Sequence, residues 1–449
     1  VPERLSTRAL PGRVDLDALF VALEKVSTEV FWLDAGATAT QGWSVIGTGA
    51  IAPFPGEVRL DAGPSDADLS DADPTPGRPP LRGGWVGWYD YESGAREAGA
   101  PVAPHGDTAG GAWLRITHLV ALDHTTGRTW ISAPPAELEE WASFASASGA
   151  QAPSAPRPPR ADTAPPSARA RHSPDEYASL IERCRELIRA GIAYQLCLTT
   201  RFTVDGPHDA VEAYRRLRRL TPAHHGGFLR IGGRSLLSAS PEQFLDVRDG
   251  VVRTRPIKGT RPRSDDPVHD AALAADLAAD PKERAENVMI VDLMRNDLSR
   301  VCEPGSIRVE ALWAVESYPA VHQLVSTVSG VLTRGTTSGE LLRATFPAGS
   351  MTGAPKLSAM TRLHEIEGGP RGVYAGCFGY IGDDGALDLA MVIRSIVMEG
   401  DTAVVGAGGG ITWRSVAAAE VAEVATKARA PLAALGAEMP AAWASDILN

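Results

Sequence analysis

Cysteine is scarce in this sequence: four of 449 residues, at positions 184, 197, 302 and 377. None are spaced as CxxC, so neither a disulfide framework nor a zinc site is expected, and a reducing cytosol is the default compartment. Also missing is any run of about 18 apolar residues, the length needed to span a bilayer. The first residues, Val1-Pro2-Glu3-Arg4, do not open a signal peptide, and the absent initiator Met leaves room for a start further upstream. Positive charge is outweighed, with a formal net charge of -11. That argues against a nucleic-acid polyanion as main partner, while a local basic pocket for a small anion stays open. No internal repeat of about 20 to 50 residues is found.

What remains is ordinary globular material, 44% hydrophobic and 22% charged, long enough for one very large domain or two to three smaller ones. Residues 1–145 alternate strand-like runs (29–34, 83–91, 113–122) with turns. An amphipathic helix is expected over 14–24, and Pro- and Asp-rich loops over 61–80. Residues 146–172 shift to Ala, Pro, Ser and Arg and read as a linker or long surface loop. Residues 173–449 form the third unit. It opens on a helix with Ser173 as N-cap, Pro174 at the first helical position and Glu176 completing a capping box. Strands are expected at 193–202, 227–231, 236–240, 244–247, 321–334, 374–381, 389–398 and 402–406. Helices are expected at 210–220, 267–298 and 416–435. Strands in runs and helices in blocks point to an α+β fold.

Five stretches carry possible chemistry. Arg255-Pro256-Ile257-Lys258-Gly259 follows a strand-like run and reads as a turn, stiff at the proline and open at the glycine. Lys258 becomes a nucleophile if burial or a neighbouring cation lowers its pKa, and Arg255, Arg261 and Arg263 are close in sequence. The plain alternative is a basic surface turn. Glu283 and Glu286, and again Glu420 and Glu423, sit three apart, each pair on one helix face. No obvious cationic partner accompanies the second pair. Two such pairs facing each other would repel unless a divalent cation lay between them, and hard oxygen ligands suit Mg²⁺; otherwise they are solvated helix faces. Gly406-Ala407-Gly408-Gly409-Gly410-Ile411 could offer backbone N–H groups to an anion. It is neither a dinucleotide fingerprint nor a P-loop. Phe346 to Lys356 reads as a substrate-lining loop leading into a helix, or as a tight turn.

These stretches, with SASPEQFL, ERAENVMIVDLMRNDLSRV, HQLVSTVSG, YAGCFGYIG and MVIRS, occur in an order and spacing that resemble the chorismate-utilising enzymes. That family includes anthranilate synthase component I, aminodeoxychorismate synthase component I and the isochorismate and salicylate synthases. The likeness covers residues 173–435, and more loosely the N-terminal region through GGWVGWYDYE. It implies two packed antiparallel β-sheets with helices outside and strands from both halves of the chain. It also implies residue roles. Glu286 and Glu423 would hold Mg²⁺, with Glu283 and Glu420 as outer partners. Tyr374, Arg394, Gly408 and Gly410 would bind substrate carboxylates, with Ser350, Gln195 and Lys356 lining the site. Glu242 would protonate the departing 4-hydroxyl, and His322 matches the family's active-site histidine.

Two positions choose among the family's reactions. Water-adding relatives carry a lysine base where this chain has Gln195, and anthranilate synthases carry Ala where it has Lys258. The resemblance therefore implies amination of chorismate at C4, to 4-amino-4-deoxychorismate on the route to 4-aminobenzoate, whether for folate or a natural product. Lys258 would attack C2 on the way. Anthranilate synthesis, or a non-catalytic chorismate-binding subunit, is the alternative. Gly376-Cys377-Phe378-Gly379 lacks the surroundings of a glutaminase nucleophile, so Cys377 reads as a buried strand residue and ammonia would come from a separate glutaminase subunit.

Overall fold

The computed structural model describes residues 4–61, 77–103, 111–150, 155–158, 166–319 and 321–444. Most of the loop expected over 61–80, and positions 151–154 and 159–165 of the expected linker, lie outside the described residues. Within that linker, 146–149 complete the helix Leu138–Gly149, whose Ala145 is fully buried, and Arg169–Ala170 pairs as a short strand with 202–203. Among the described residues, no helix is long and apolar enough to cross a membrane.

One long strand, Ala112–Asp123, is the seam of the molecule. Along one edge it pairs with Trp43–Ala52; along the other it pairs first with Gly84–Tyr89 and then with Thr129–Ala133. From Trp43–Ala52 one sheet runs through Val30–Asp34, His225–Ile231, Arg234–Ser240, Ser395–Glu399 and Thr402–Ile411 to Gln195–Asp205. From Gly84–Tyr89 the other runs through Cys377–Gly382, Leu387–Met391, Gln243–Arg248 and Val251–Thr254 to Val321–Val331. Every pairing in both is antiparallel, and each sheet joins strands from before residue 145 to strands from after 173.

Side-chain alternation along the strands separates the layers. Phe31, Leu229, Leu236, Phe378 and Tyr380 face a core shared by the two sheets. Their neighbours Trp32, Phe228 and Leu237 face helices Leu16–Leu23, Pro174–Arg189, Ala210–Leu220 and Ala417–Leu435. Cys377, Ile381 and Leu389 face helices Pro281–Leu298 and Ser338–Thr345 on the opposite side. Burying each of these large side chains contributes about 1.5–3 kcal/mol. The result is helices, sheet, sheet, helices.

Local signals are realised closely. The Pro174–Arg189 helix has its Ser173–Glu176 capping box, and Ala210–Leu220 begins and ends where expected. Three features differ from expectation. The helical block 267–298 is broken at Asp280, which ends Pro267–Ala279 and caps Pro281–Leu298. The strand expected over 402–406 runs on through the glycines to Ile411, with 406–411 paired residue for residue with 196–201. Arg308–Ser317 is an additional strand whose two register shifts against Val321–Val331 erase any simple alternation in its sequence.

Candidate active site

Past Pro256 the chain re-enters the sheet as Ile257–Pro262, paired to Val321–Val325. The expected turn is therefore a bulged strand. Its register slips between Ile257 and Thr260, where Gly259 adopts φ 85°. A side chain there would be strained, and its Cβ would stand 2.7 Å from Leu277 and 3.0 Å from Glu283. Around the bulge the Lys258 side chain is only 15% exposed. The nearby arginines do not act on it as expected, because each is held by its own carboxylate. Arg255 pairs with Glu316, Arg263 with Asp270 at 2.8 Å, and Arg261 with Asp276 at 3.0 Å and Asp280 at 2.9 Å. Asp280 caps the acidic helix, so Arg261 fastens the lysine strand to that helix. Asn287, fully buried, adds a second tie by donating to the Pro256 carbonyl and accepting from Ser326.

The two acidic pairs do meet. Glu286 Oε2 lies 3.7 Å from Lys258 Nζ. Lys282 Nζ lies 3.9 Å from Glu286 and 3.7 Å from Glu420, spanning the helices Pro281–Leu298 and Ala417–Leu435. Burial, then the charge of Glu286, raises the Glu283 pKa; burial likewise raises that of Glu420, with Glu423 and Glu286 adding to it. Glu286 and Glu420 are the buried members, whereas Glu423 is half exposed and bonded to Lys427 at 2.7 Å. Lys427 is thus the cationic partner the last helix was expected to lack. Burial opposes the charge on Lys258, but the surrounding carboxylates, Glu286 foremost, leave its pKa above the ordinary lysine value.

Among the described residues no three candidate ligands already converge at metal-binding distance. The donor set nevertheless fits Mg²⁺, which takes one or two protein carboxylates and keeps several waters. All four candidates are carboxylates, and Glu286 Oε1 is buried with no hydrogen-bond partner. A buried acceptor left unmet is costly, and a cation would satisfy it.

Glu242 is near enough to Lys258 for their charges to act on each other. It follows the strand Arg234–Ser240, is 8% exposed, and its carbonyl accepts from Met391 N at 3.0 Å. Burial pushes its carboxyl up to about 7, opposed by a hydrogen bond from Ser350 and by the charges of Lys258 and Lys427. Gln195 is fully buried, and neither end of its amide has a partner. Gly410 explains how these groups fit. A Cβ there would lie 2.5 Å from Gln195 Nε2 and 3.0 Å from Lys258 Nζ, so the bare backbone leaves the space both need. The Gly408 carbonyl accepts from Lys427 Nζ at 2.7 Å. Tyr374 packs its ring against Gly406. Arg394 adopts φ 52°, a strained conformation for arginine, and makes no ion pair among the described residues. Burial lowers its pKa, opposed by Tyr374 and Glu423 nearby. An unpaired, half-buried guanidinium suits an incoming carboxylate.

Two sequence-predicted residues are not brought to this cluster. His322 is buried with Nδ1 on Ser317 at 2.8 Å and Nε2 on Asp270 at 2.9 Å, the latter already paired with Arg263. Lys356 donates to Asp297 at 2.5 Å and to the Thr345 carbonyl at 3.0 Å. It braces the 346–355 segment against the acidic helix rather than facing Lys258. Cys377 is a fully buried strand residue whose thiol pKa is pushed up by burial. A cavity of about 1060 Å³ lies elsewhere, between the sheets, lined by His224, Arg255, Glu316, Tyr380 and Asp388 among others.

Sequence reasoning missed Lys282, Lys427 and the Asp280 cap. Spacing alone could have found the lysines, each four residues from a glutamate of an acidic pair. Composition gives a sharper signal. The chain has five lysines, at 25, 258, 282, 356 and 427, against 39 arginines. Three of the five gather at this cluster. A compact ammonium that can shed its proton is a different tool from a planar guanidinium that cannot.

Comparison with known proteins agrees with this picture. Residues 57–433 match the chorismate binding enzyme family. Aminodeoxychorismate synthases of Streptomyces pristinaespiralis and Streptomyces griseus are 39% and 37% identical, over 99% and 96% of this chain. The chain spans 67% and 64% of the length of those relatives. Anthranilate synthase component 1 of Streptomyces coelicolor is 39% identical over 81% of this chain and 74% of its own. The crystal structure of anthranilate synthase component I from Streptococcus pneumoniae superimposes with a TM-score of 0.70 at 28% identity, covering 96% of this chain and 92% of that one. With a family match that takes in most of the chain, this protein belongs to the chorismate-binding enzyme family.

Proposed function

We propose that this chain aminates chorismate at C4, yielding 4-amino-4-deoxychorismate and water. One observation carries the reading: the Lys258 amine, the partnerless Gln195 amide and the Gly410 backbone meet at one point, with Glu242 titrating near 7 beside them. The names of the two Streptomyces aminodeoxychorismate synthases support it. Glu286 and Glu423, with Glu283 and Glu420 as outer partners, would hold Mg²⁺, which when bound would anchor and neutralise the ring carboxylate. Arg394 and Tyr374 take the other carboxylate.

Lys258 begins as an ammonium and passes its proton to Glu242, an acid poised near neutrality. The freed amine bonds to C2 as the C4–O bond breaks, and Glu242 gives its proton to the departing hydroxyl, which leaves as water. Ammonia then bonds to C4, the C2–Nζ bond breaks, and the ammonium formed at C4 returns a proton to Glu242. While Lys258 holds C2, only C4 is open to ammonia. With Cys377 sealed in a sheet, the ammonia comes from a separate glutaminase subunit. The test is the purified chain with chorismate, Mg²⁺ and an ammonium salt, the product identified by mass spectrometry and NMR. 4-Amino-4-deoxychorismate is expected, and glutamine in place of ammonium should give none. Anthranilate would move the chemistry to C2; no product from a folded chain would leave a binding subunit.

A further inference from the structure

Four carboxylates meet three ammonium groups at the cluster: Glu283, Glu286, Glu420 and Glu423 against Lys258, Lys282 and Lys427. Two of the lysines have other work. Lys258 sits under Gly410 beside Gln195, and Lys427 is hydrogen-bonded to Glu423 and to the Gly408 carbonyl. Lys282 differs. It is 47% exposed, and it reaches Glu286 and Glu420 at 3.9 and 3.7 Å, beyond hydrogen-bond length. The carboxylate oxygen it approaches on Glu286 is the partnerless Oε1.

We propose that Lys282 is a resident cation for this carboxylate cluster: it bridges the two acidic helices and must swing aside when a divalent cation binds, so it sets the affinity for that cation. The inference rests on the metal reading above. Charge supports it. With Lys282 in place the cluster carries one net negative charge; with Lys282 withdrawn to solvent it carries two, matched to a divalent ion. Geometry supports it too. A four-carbon stem rooted in the first turn of Pro281–Leu298 can leave without disturbing the helix, and the long contacts cost little to break. In a chain that uses arginine 39 times and lysine five, an ammonium stands where a point charge must be exchangeable. A guanidinium forking onto both carboxylates would hold them more firmly.

The experiment is Mn²⁺ binding to the full chain by calorimetry and electron paramagnetic resonance, for the parent, Lys282→Met and Lys282→Arg. Lys282→Met should bind Mn²⁺ about tenfold more tightly, since removing one positive charge about 4 Å from the site strengthens attraction for a cation. Lys282→Arg should bind more weakly than the parent. In EDTA the Lys282→Met chain should melt lower than the parent and gain more on adding Mg²⁺, which also shows that the variant folds. Equal or weaker Mn²⁺ binding by Lys282→Met overturns the role of Lys282 and leaves the metal site standing. Failure of the parent to bind Mn²⁺ at all overturns both.

Discussion

Lys258 and Lys356 begin alike. Each lies within two residues of a proline in a motif-rich stretch, each side chain is 15% exposed, and each has a carboxylate neighbour. Their surroundings then diverge. Lys356 bonds directly to one buried carboxylate and one carbonyl, and burial lowers its pKa despite Asp297. Lys258 makes no hydrogen bond among the described residues and faces several carboxylates at longer range, which raise its pKa in spite of burial. Burial therefore does not make a lysine reactive. A hydrogen-bonded amine is a strut, whereas an amine held by field rather than by contact can move onto a substrate.

Predictions follow the size of that contrast. Lys258→Ala should cut the 4-amino product by about a thousandfold or more, as expected for loss of a covalent nucleophile. Lys258→Arg should do the same, because guanidinium stays protonated. Incubating the parent with chorismate and no ammonia should give an adduct on Lys258 by intact-protein mass spectrometry. A parental rate from Lys258→Ala would break the contrast.

Next comes Glu242→Gln, expected to lose about 10² to 10⁴ in rate. At constant free ammonia, parental kcat should rise as pH rises through about 7, because Glu242 must start as a carboxylate to take the Lys258 proton and its carboxyl titrates there. The variant should lack that ascending limb. A limb retained in Glu242→Gln would assign the acid elsewhere.

Gly410→Ala should cost about ten- to a hundredfold in activity with little change in melting temperature. Its new methyl would lie 3.0 Å from Lys258 Nζ and 2.5 Å from Gln195, where small displacements of reacting groups are expensive. Full activity would mean that Lys258 works from another position.

The smallest effect on chemistry belongs to Lys356→Met. Leaving Asp297 buried and unpaired should destabilise the fold by about 3 kcal/mol in urea. Activity per folded molecule should stay within about twofold of the parent, a margin of under 0.5 kcal/mol. A large kcat loss in the stable fraction would place Lys356 in the site after all.

The second acidic pair sharpens the point. Spacing put Glu420 and Glu423 on one face, and both helices carry their pairs where expected. Spacing did not reveal that Glu420 is buried toward Lys282 while Glu423 turns half outward to Lys427. Nor could it reveal that Arg255, Arg261 and Arg263 are neutralised, because their partners Glu316, Asp276, Asp280 and Asp270 come from other elements. Motif order carried Glu242 and Gln195 to the lysine, but it also offered His322 and Lys356, whose polar atoms are already satisfied.

By itself, the sequence determined whatever rests on short-range rules. The capping box at Ser173, the periodic faces of the helices, the strand runs and the i,i+3 acidic pairs depend on residues a few positions apart, whose energetics are local. Tertiary structure alone decided which charges meet. That depends on a 112–123 strand shared by two sheets, on a one-residue slip at Gly259, and on contacts between residues more than a hundred positions apart, such as Lys282 and Glu420. Electrostatic energies follow distance in space, and neither spacing nor composition fixes that distance until the sheets have closed.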